Sequence, residues 1–289
     1  MSTLVRPAGL APAGRARRRM PVRPRVLVML VASVLIVVGA CSAPEDEAAP
    51  PTPPSHVHGL GTNPADGQLY VATHNGLFTL VDGQFDKVGE ASHDLMGFAV
   101  VGDDHFLASG HPGDLDAPNP MGLLESRDAG RTWQTISREG VSDFHAIKTL
   151  GTTAYAYDST SARLEVSTDG GRSFSTFDDS TLIDFSVDDA GNILTTTPDG
   201  VVRLRDPAGT DLLGPENPFM TYVDATSAGW AGLDDHSHIR IYEGGTWTRV
   251  GRLPGVPAAF TAEAERWWAA TSEGVFVSDD EGKSWSPVR

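Results

Sequence analysis

The chain has 289 residues, with 22 Lys and Arg against 38 Asp and Glu and a formal net charge of −16. Seven arginines and no acid fall in the first forty residues, so the remainder holds 15 basic against 38 acidic side chains, a balance of about −23. Such a field repels polyanions and no basic stripe counters it, which argues against nucleic acid as a partner, while the lone Cys leaves no disulfide framework. In chain order, the first element is the apolar run Val26 to Ala40, which is short for a bilayer span and ends Val38-Gly39-Ala40-Cys41. Small residues directly before a lone Cys predict a lipoprotein signal over 1–40, with Cys41 as the lipidated first residue and Met20 as an alternative start to Met1. An uncleaved anchor would also leave the rest outside the membrane. Residues 41–55 then form a Pro-rich, acidic tether with no large apolar side chain to bury, so the folded domain is expected over 56–289.

From His56 onward, short alternating apolar segments are punctuated by turns, and three of these turns repeat one pattern: SRDAGRTW (Ser126 to Trp133), STDGGRSF (Ser167 to Phe174) and SDDEGKSW (Ser278 to Trp285). In each, an Asp (Asp128, Asp169, Asp280) can bond its own backbone, a Gly (Gly130, Gly171, Gly282) can take positive φ, and an aromatic (Trp133, Phe174, Trp285) can anchor the following strand. Hairpins of this kind bury their faces only by stacking on copies of themselves. Trp133 to Phe174 spans 41 residues, Trp247 to Trp285 spans 38, and the 73 between Phe174 and Trp247 hold two repeats. With Asp82-Gly83-Gln84-Phe85 as a degenerate first turn and Asp206-Pro207-Ala208-Gly209 as the fourth, the count is six blades of about 39 residues: an all-β, six-bladed β-propeller. Seven blades, the alternative, would leave only about 33 residues for each.

The eight-residue pattern resembles the Asp-box, or BNR repeat, of sialidases and of many propellers that are not enzymes. In that family the box is a structural clasp, so the resemblance implies fold and not activity. The segments HVHGLG (56–61), LYVATHNGLF (69–78), MGF (96–98), ASGHPG (108–113) and DFHA (143–146) also resemble a bacterial sialidase-like lipoprotein family described as glycosyl hydrolases. That wider resemblance covers about the first half of the exported chain.

Alternation predicts that the innermost strands begin at His56, Asp94, Asp143, Asp184, Thr221 and Ala259, and that the second strands end near His74, His111, Asp158, Thr197, Asp234 and Ser272. Antiparallel neighbours bring these beginnings and ends to one face, the mouth of the central channel. Assembled there are His56, His58, His74, His111 and His145, Met96, and the carboxylates Asp94, Asp143, Asp158 and Asp184. Clustered neutral imidazoles suit zinc, copper or nickel, and a thioether suits copper, so His56, His58, His145 and Met96 are candidate metal ligands for copper or zinc. His74, His111 and Asp158 are candidates for binding an organic ligand. The remaining reading is that these groups bond one another around a wet channel. His93, His105, His236 and His238 read as loop or rim residues, and the Pro-rich insertion from His111 to Pro120 overhangs the mouth.

The arginine triad and the Tyr with its Glu that a sialidase requires are not identifiable, because Arg131 and Arg172 belong to box turns and Arg127 immediately precedes one. A different glycoside hydrolase remains open, with Asp94, Asp143 and Asp184 as the carboxylates, since that chemistry needs only two acids at a suitable separation. The sequence therefore points to a lipid-anchored, extracytoplasmic and monomeric propeller that binds a ligand, metal, glycan or protein at its mouth. The protein-docking version resembles propellers like the photosystem II assembly factor.

Overall fold

The computed structural model describes residues 56–288, apart from 201, 207, 209, 211–216 and 265. The expected signal over 1–40, Cys41, the tether and part of the fourth-blade turn at 206–209 lie outside the described residues. The domain is all-β, with six antiparallel sheets whose strands follow one another in sequence order. Blade one holds β1 (Val57–Thr62), β2 (Leu69–Thr73), β3 (Gly76–Val81) and β4 (Gln84–Val88), and blade two β5 (Asp94–Gly102), β6 (His105–His111), β7 (Leu123–Ser126) and β8 (Gln134–Ser137). Blade three holds β9 (Phe144–Leu150), β10 (Thr153–Asp158), β11 (Arg163–Ser167) and β12 (Ser175–Asp178); three strands of blade four are described, β13 (Asp184–Val187), β14 (Ile193–Thr196) and β15 (Val202–Arg205). Blade five is β16 (Tyr222–Thr226), β17 (Gly229–Leu233), β18 (His238–Glu243) and β19 (Thr246–Arg252), and blade six is β20 (Pro257–Ala262), β21 (Trp267–Thr271), β22 (Gly274–Ser278) and β23 (Ser286–Pro287). The first strand of each blade contacts the first strands on either side, and β1 meets β20, so the six blades close a ring as the spacing predicts.

No strand is exchanged between the ends of the described chain, so closure rests on side chains. Val57, Leu60, Leu69 and Val71 pack with Ala259, Trp268, Ala270 and Val275. Two hydrogen bonds cross the same seam: Trp268 Nε1 donates to Thr62 Oγ1 at 3.0 Å, and Thr62 N donates to Glu263 Oε1 at 2.8 Å. Similar apolar clusters fill the other gaps, with the fully buried Phe106, Phe144 and Phe185 at their centres.

The boxes join third to fourth strands, and all three are built alike. In the first, Ser126 Oγ donates to Asp128 Oδ1 at 2.8 Å and accepts Gly130 N at 2.8 Å, while Asp128 accepts Thr132 N at 2.9 Å and Thr132 Oγ1 at 2.7 Å. Asp169 and Asp280 repeat the arrangement. These hydrogen bonds hold the carboxyl groups of Asp169 and Asp280 well below the usual carboxylate range. The box glycine also faces the preceding blade. A Cβ on Gly130 (φ +80°) would lie 2.2 Å from Leu77 Cδ2, and one on Gly171 (φ +85°) 2.3 Å from Leu123 Cδ2. The motif thus closes its own hairpin and seats it on the neighbouring sheet.

Strict alternation along the innermost strands is interrupted. The pairings Val57↔Thr73 then Gly59↔Ala72, Leu95↔Gly110 then Gly97↔Ser109, Phe144↔Asp158 then Ala146↔Tyr157, and Pro257↔Thr271 then Ala259↔Ala270 each leave one extra residue on the first strand. The bulged residues are His58, Met96, His145 and Ala258. A bulge turns its extra side chain out of the pleat and resets the phase, so Val57 and Leu60, three apart instead of two, both reach the core. The innermost strand pairs of blades four and five run without interruption.

Candidate functional site

The bulges explain why imidazoles gather at one end of the channel. His58 and His145 line a mouth cavity of about 100 Å³ together with Asp184, Tyr222 and Lys148. At the junction of blades one and two, His58 Nε2 lies 3.2 Å from His74 Nδ1 and 3.5 Å from Asp94 Oδ1, and His74 Nδ1 lies 2.9 Å from the same oxygen. Asp94 Oδ1 is buried and neither imidazole is aligned to donate to it, while the two imidazoles share one hydrogen bond with each other, so a cation at this point would replace the proton between them and answer the oxygen. Burial lowers the pKa of His58, opposed by the Asp94 charge and reinforced by His74, His145 and His56, which favours the neutral ring that a metal needs. Four ligands about 2.0–2.1 Å from a tetrahedral zinc ion stand about 3.3 Å apart, and the three separations found here bracket that value.

At the next junction His145 Nε2 lies 2.7 Å and His111 Nε2 3.5 Å from Asp143 Oδ2, and Ser159 Oγ donates to the same oxygen at 3.0 Å. Burial works against ionisation of Asp143, but the bond and charge of His145 outweigh it and hold its pKa below the ordinary value. The other predicted residues take different places. His56, at φ +59°, sets its ring 5.2 Å from that of His74, and Met96 occupies the bulge of blade two. Asp158 is turned into its own loop, accepting Asp143 N at 3.2 Å, Thr160 N at 3.0 Å and Ser161 Oγ at 2.9 Å. Asp184 is half-buried, accepts Val223 N at 2.9 Å, and is pushed up by desolvation to a pKa of about 7. Among the rim histidines, His93 Nδ1 accepts Gly113 N at 3.2 Å and ties down the insertion, His105 pairs with Glu125 at 2.8 Å, and His238 pairs with Asp234 at 3.0 Å.

Below the mouth lies an ionic network that sequence reasoning missed. Lys148 Nζ donates to Asp224 Oδ1 at 2.8 Å, and Asp224 also accepts Ser186 Oγ at 2.7 Å, Ala262 N at 2.9 Å and Thr261 Oγ1 at 3.0 Å, tying blades three to six together. Burial works against the Lys148 ammonium, but Asp224, Asp184 and Glu263 outweigh it and raise its pKa. The one available signal was a lysine placed mid-strand in β9, directly after Ile147. Beyond this pair a second cavity of about 400 Å³ opens at the far ends of the inner strands, lined in part by Asp188, Asp189 and Glu263. Among the described residues, the linings of the two cavities on the axis contain no arginine.

Against known proteins, the BNR/Asp-box repeat family matches residues 276–287. No curated protein matches the chain. Among solved structures the chain is similar to YCF48 bound to D1 peptide, with 14% identity and a TM-score of 0.51 over 80% of this chain and 81% of that one. It is similar to a chain of the nidogen/laminin complex, at 16% identity and a TM-score of 0.57, over 73% of this chain and 89% of that one. A third is the extracellular domain of a B. thetaiotaomicron protein named as a hybrid two-component system, BT4673, at 11% identity and a TM-score of 0.56, over 80% of this chain but 33% of that one. At these identities the likeness concerns the fold. The chain is a six-bladed β-propeller carrying BNR/Asp-box repeats.

Proposed function

We propose that this is an exported, lipid-anchored propeller that binds a transition-metal dication, zinc or copper, at its mouth through His58 Nε2, His74 Nδ1 and Asp94 Oδ1. The observation that carries the reading is the convergence of these atoms at 2.9, 3.2 and 3.5 Å around a buried carboxylate oxygen without a donor. Two neutral imidazoles and a carboxylate form a mixed N/O set that suits first-row ions and disfavours calcium or magnesium, which take oxygen ligands. His56 flanks the set, and water or a partner side chain completes the coordination. Export and anchoring rest on the Arg-rich, apolar leader ending at Cys41.

Calorimetry with zinc, copper(II) and magnesium on the detergent-purified full chain tests the reading, with Cys41→Ser in every sample to remove the only thiol. Zinc or copper should bind one ion per chain, magnesium should not compete, and His58→Ala or His74→Ala should weaken binding about tenfold or more, a loss of about 1.4 kcal/mol. Affinity no tighter than high micromolar, or unchanged in both variants, would end it.

One observation favours a second reading, glycoside hydrolysis by the mouth carboxylates Asp94, Asp143 and Asp184. A half-buried cavity carboxyl that desolvation pushes up to a pKa of about 7, as at Asp184, has the property a general acid needs. His145 engages Asp143, and Asp94 belongs to the ligand set above, which gives both work outside catalysis. Release of aryl aglycones by the wild type and its disappearance in Asp184→Asn would establish hydrolysis, and no release across a broad glycoside panel would dismiss it.

A further inference from the structure

At the end of the ring opposite the mouth, the gap between blades one and two is clasped shut. Asn63, directly after β1, and Asp104, directly before β6, bond each other across it: Asn63 Nδ2 donates to Asp104 Oδ1 at 2.9 Å, and Asp104 N donates to Asn63 Oδ1 at 3.0 Å. Ala129 N of the first box donates to Asp104 O at 2.9 Å and ties the box to the same hairpin. At the next gap Asp103 and Thr152 stand in the two clasp positions, and among the described residues no hydrogen bond joins them. Gly170 takes the place of Ala129, and a Cβ on it would meet nothing within 4 Å except Arg172 Nη1, at 3.2 Å. An open slot of about 570 Å³ remains between blades two and three.

The slot is amphipathic. Val101, Leu107 and Ile136 line it from within, at the edge of the apolar cluster that holds Phe144. Two guanidinium groups stand at its rim, Arg127 from blade two and Arg172 from blade three. Arg127 Nη2 donates to Glu125 Oε1 at 2.6 Å and Arg172 Nη1 to Asp169 O at 2.7 Å, and among the described residues neither guanidinium has another partner. The acids beside them are already answered. Glu125 Oε1 also lies 2.8 Å from His105 Nε2, and the Asp169 carboxylate accepts Ser167 Oγ, Arg172 N, Ser173 N and Ser173 Oγ inside its own box. Free donors therefore outnumber free acceptors at this rim, in a chain whose formal net charge is −16.

We propose that this slot binds a small organic carboxylate with an aliphatic or aromatic body, the carboxylate held between Arg127 and Arg172 and the apolar part laid on Leu107 and Ile136. Its volume falls within the range of about 300–1,000 Å³ typical of small-molecule sites, which combine an apolar wall with a few placed polar groups. A guanidinium fork matches a carboxylate two hydrogen bonds at a time, and a cationic ligand would meet two like charges instead. The aliphatic wall favours an acid that has apolar surface to bury over a small inorganic anion that has none. The slot shares no residue with the metal ligands of the mouth and stands or falls without them.

The test is calorimetry on the full chain with Cys41→Ser, using phenylacetate as the probe, phenethylamine as the control for charge and acetate as the control for the apolar body. Phenylacetate should bind one molecule per chain, and both controls should bind about tenfold more weakly or not at all. Affinity for phenylacetate should fall about tenfold or more in Arg127→Gln and in Arg172→Gln, with the melting temperature unchanged because both side chains are exposed. Affinity weaker than about 1 mM, phenethylamine bound as tightly as phenylacetate, or unchanged affinity in both variants overturns the proposal. Methyl NMR of the wild type gives a readout that does not depend on variant folding. Saturable shifts at Leu107 and Ile136 support the slot, and shifts confined to other methyl groups overturn it.

Discussion

Blades one to three and blades four to six share a scaffold but treat the axis differently. In the first half, each innermost strand carries a bulge that delivers His58, Met96 or His145 to the mouth, and His74 and His111 follow at the second-strand ends. In the second half, the innermost pairs of blades four and five run without interruption, blade six bulges at Ala258, and polar residues sink into the channel as the network around Asp224. A single inserted residue per strand decides whether a polar side chain meets solvent and ligands or holds the ring together. The mouth histidines thus come from the first three blades, while the channel network joins Lys148 of blade three to the second half.

The strongest challenge to this division is Asp224→Ala, which strips the acceptor from Lys148, Ser186, Thr261 and the Ala262 amide. Leaving the lysine unpaired should cost about 3–5 kcal/mol in urea unfolding. Metal affinity of the remaining folded protein should stay within about twofold, because that network touches no mouth ligand. A loss under about 1 kcal/mol would show that the channel network does not hold the ring. Next in size is Gly130→Ala, which places a methyl against Leu77 at positive φ and should cost about 1–3 kcal/mol without altering metal binding. Ser126→Ala removes a buried hydroxyl that organises the same box and should cost about 1–2 kcal/mol by the same measurement.

The remaining test is a pH dependence. Burial raises Asp184 to about 7 in the folded state, above its ordinary value of 3.8, so between those values the folded chain binds more protons than the unfolded one. Stability should therefore fall as pH rises from about 4 to about 7, and the slope should flatten in Asp184→Asn. Parallel melting profiles for the two proteins over that range would mean that Asp184 ionises as it does in water.

Much of the fold was legible in the sequence, because a Ser, an Asp and a Gly at fixed offsets close the box turn by themselves and their spacing counts the blades. The meeting of first-strand beginnings with second-strand ends was legible as well, since antiparallel pairing demands it. The grouping within the mouth was not. Period-two alternation cannot reveal a bulge, so His58 could not be assigned to His74 and Asp94, nor His145 to Asp143, before the register was known. The Lys148–Asp224 pair was hidden for a different reason: its partners are 76 positions apart, and nothing local in β16 marks Asp224 as the centre of the channel.

The central claim is that bulges in the first blades build a metal site at the mouth. Anomalous diffraction at the zinc absorption edge, from crystals of the full chain grown with zinc, tests it most directly. The predicted result is a peak within bonding distance of His58 Nε2, His74 Nδ1 and Asp94 Oδ1. A peak only at surface carboxylates, with those three side chains bonded to one another, would contradict it.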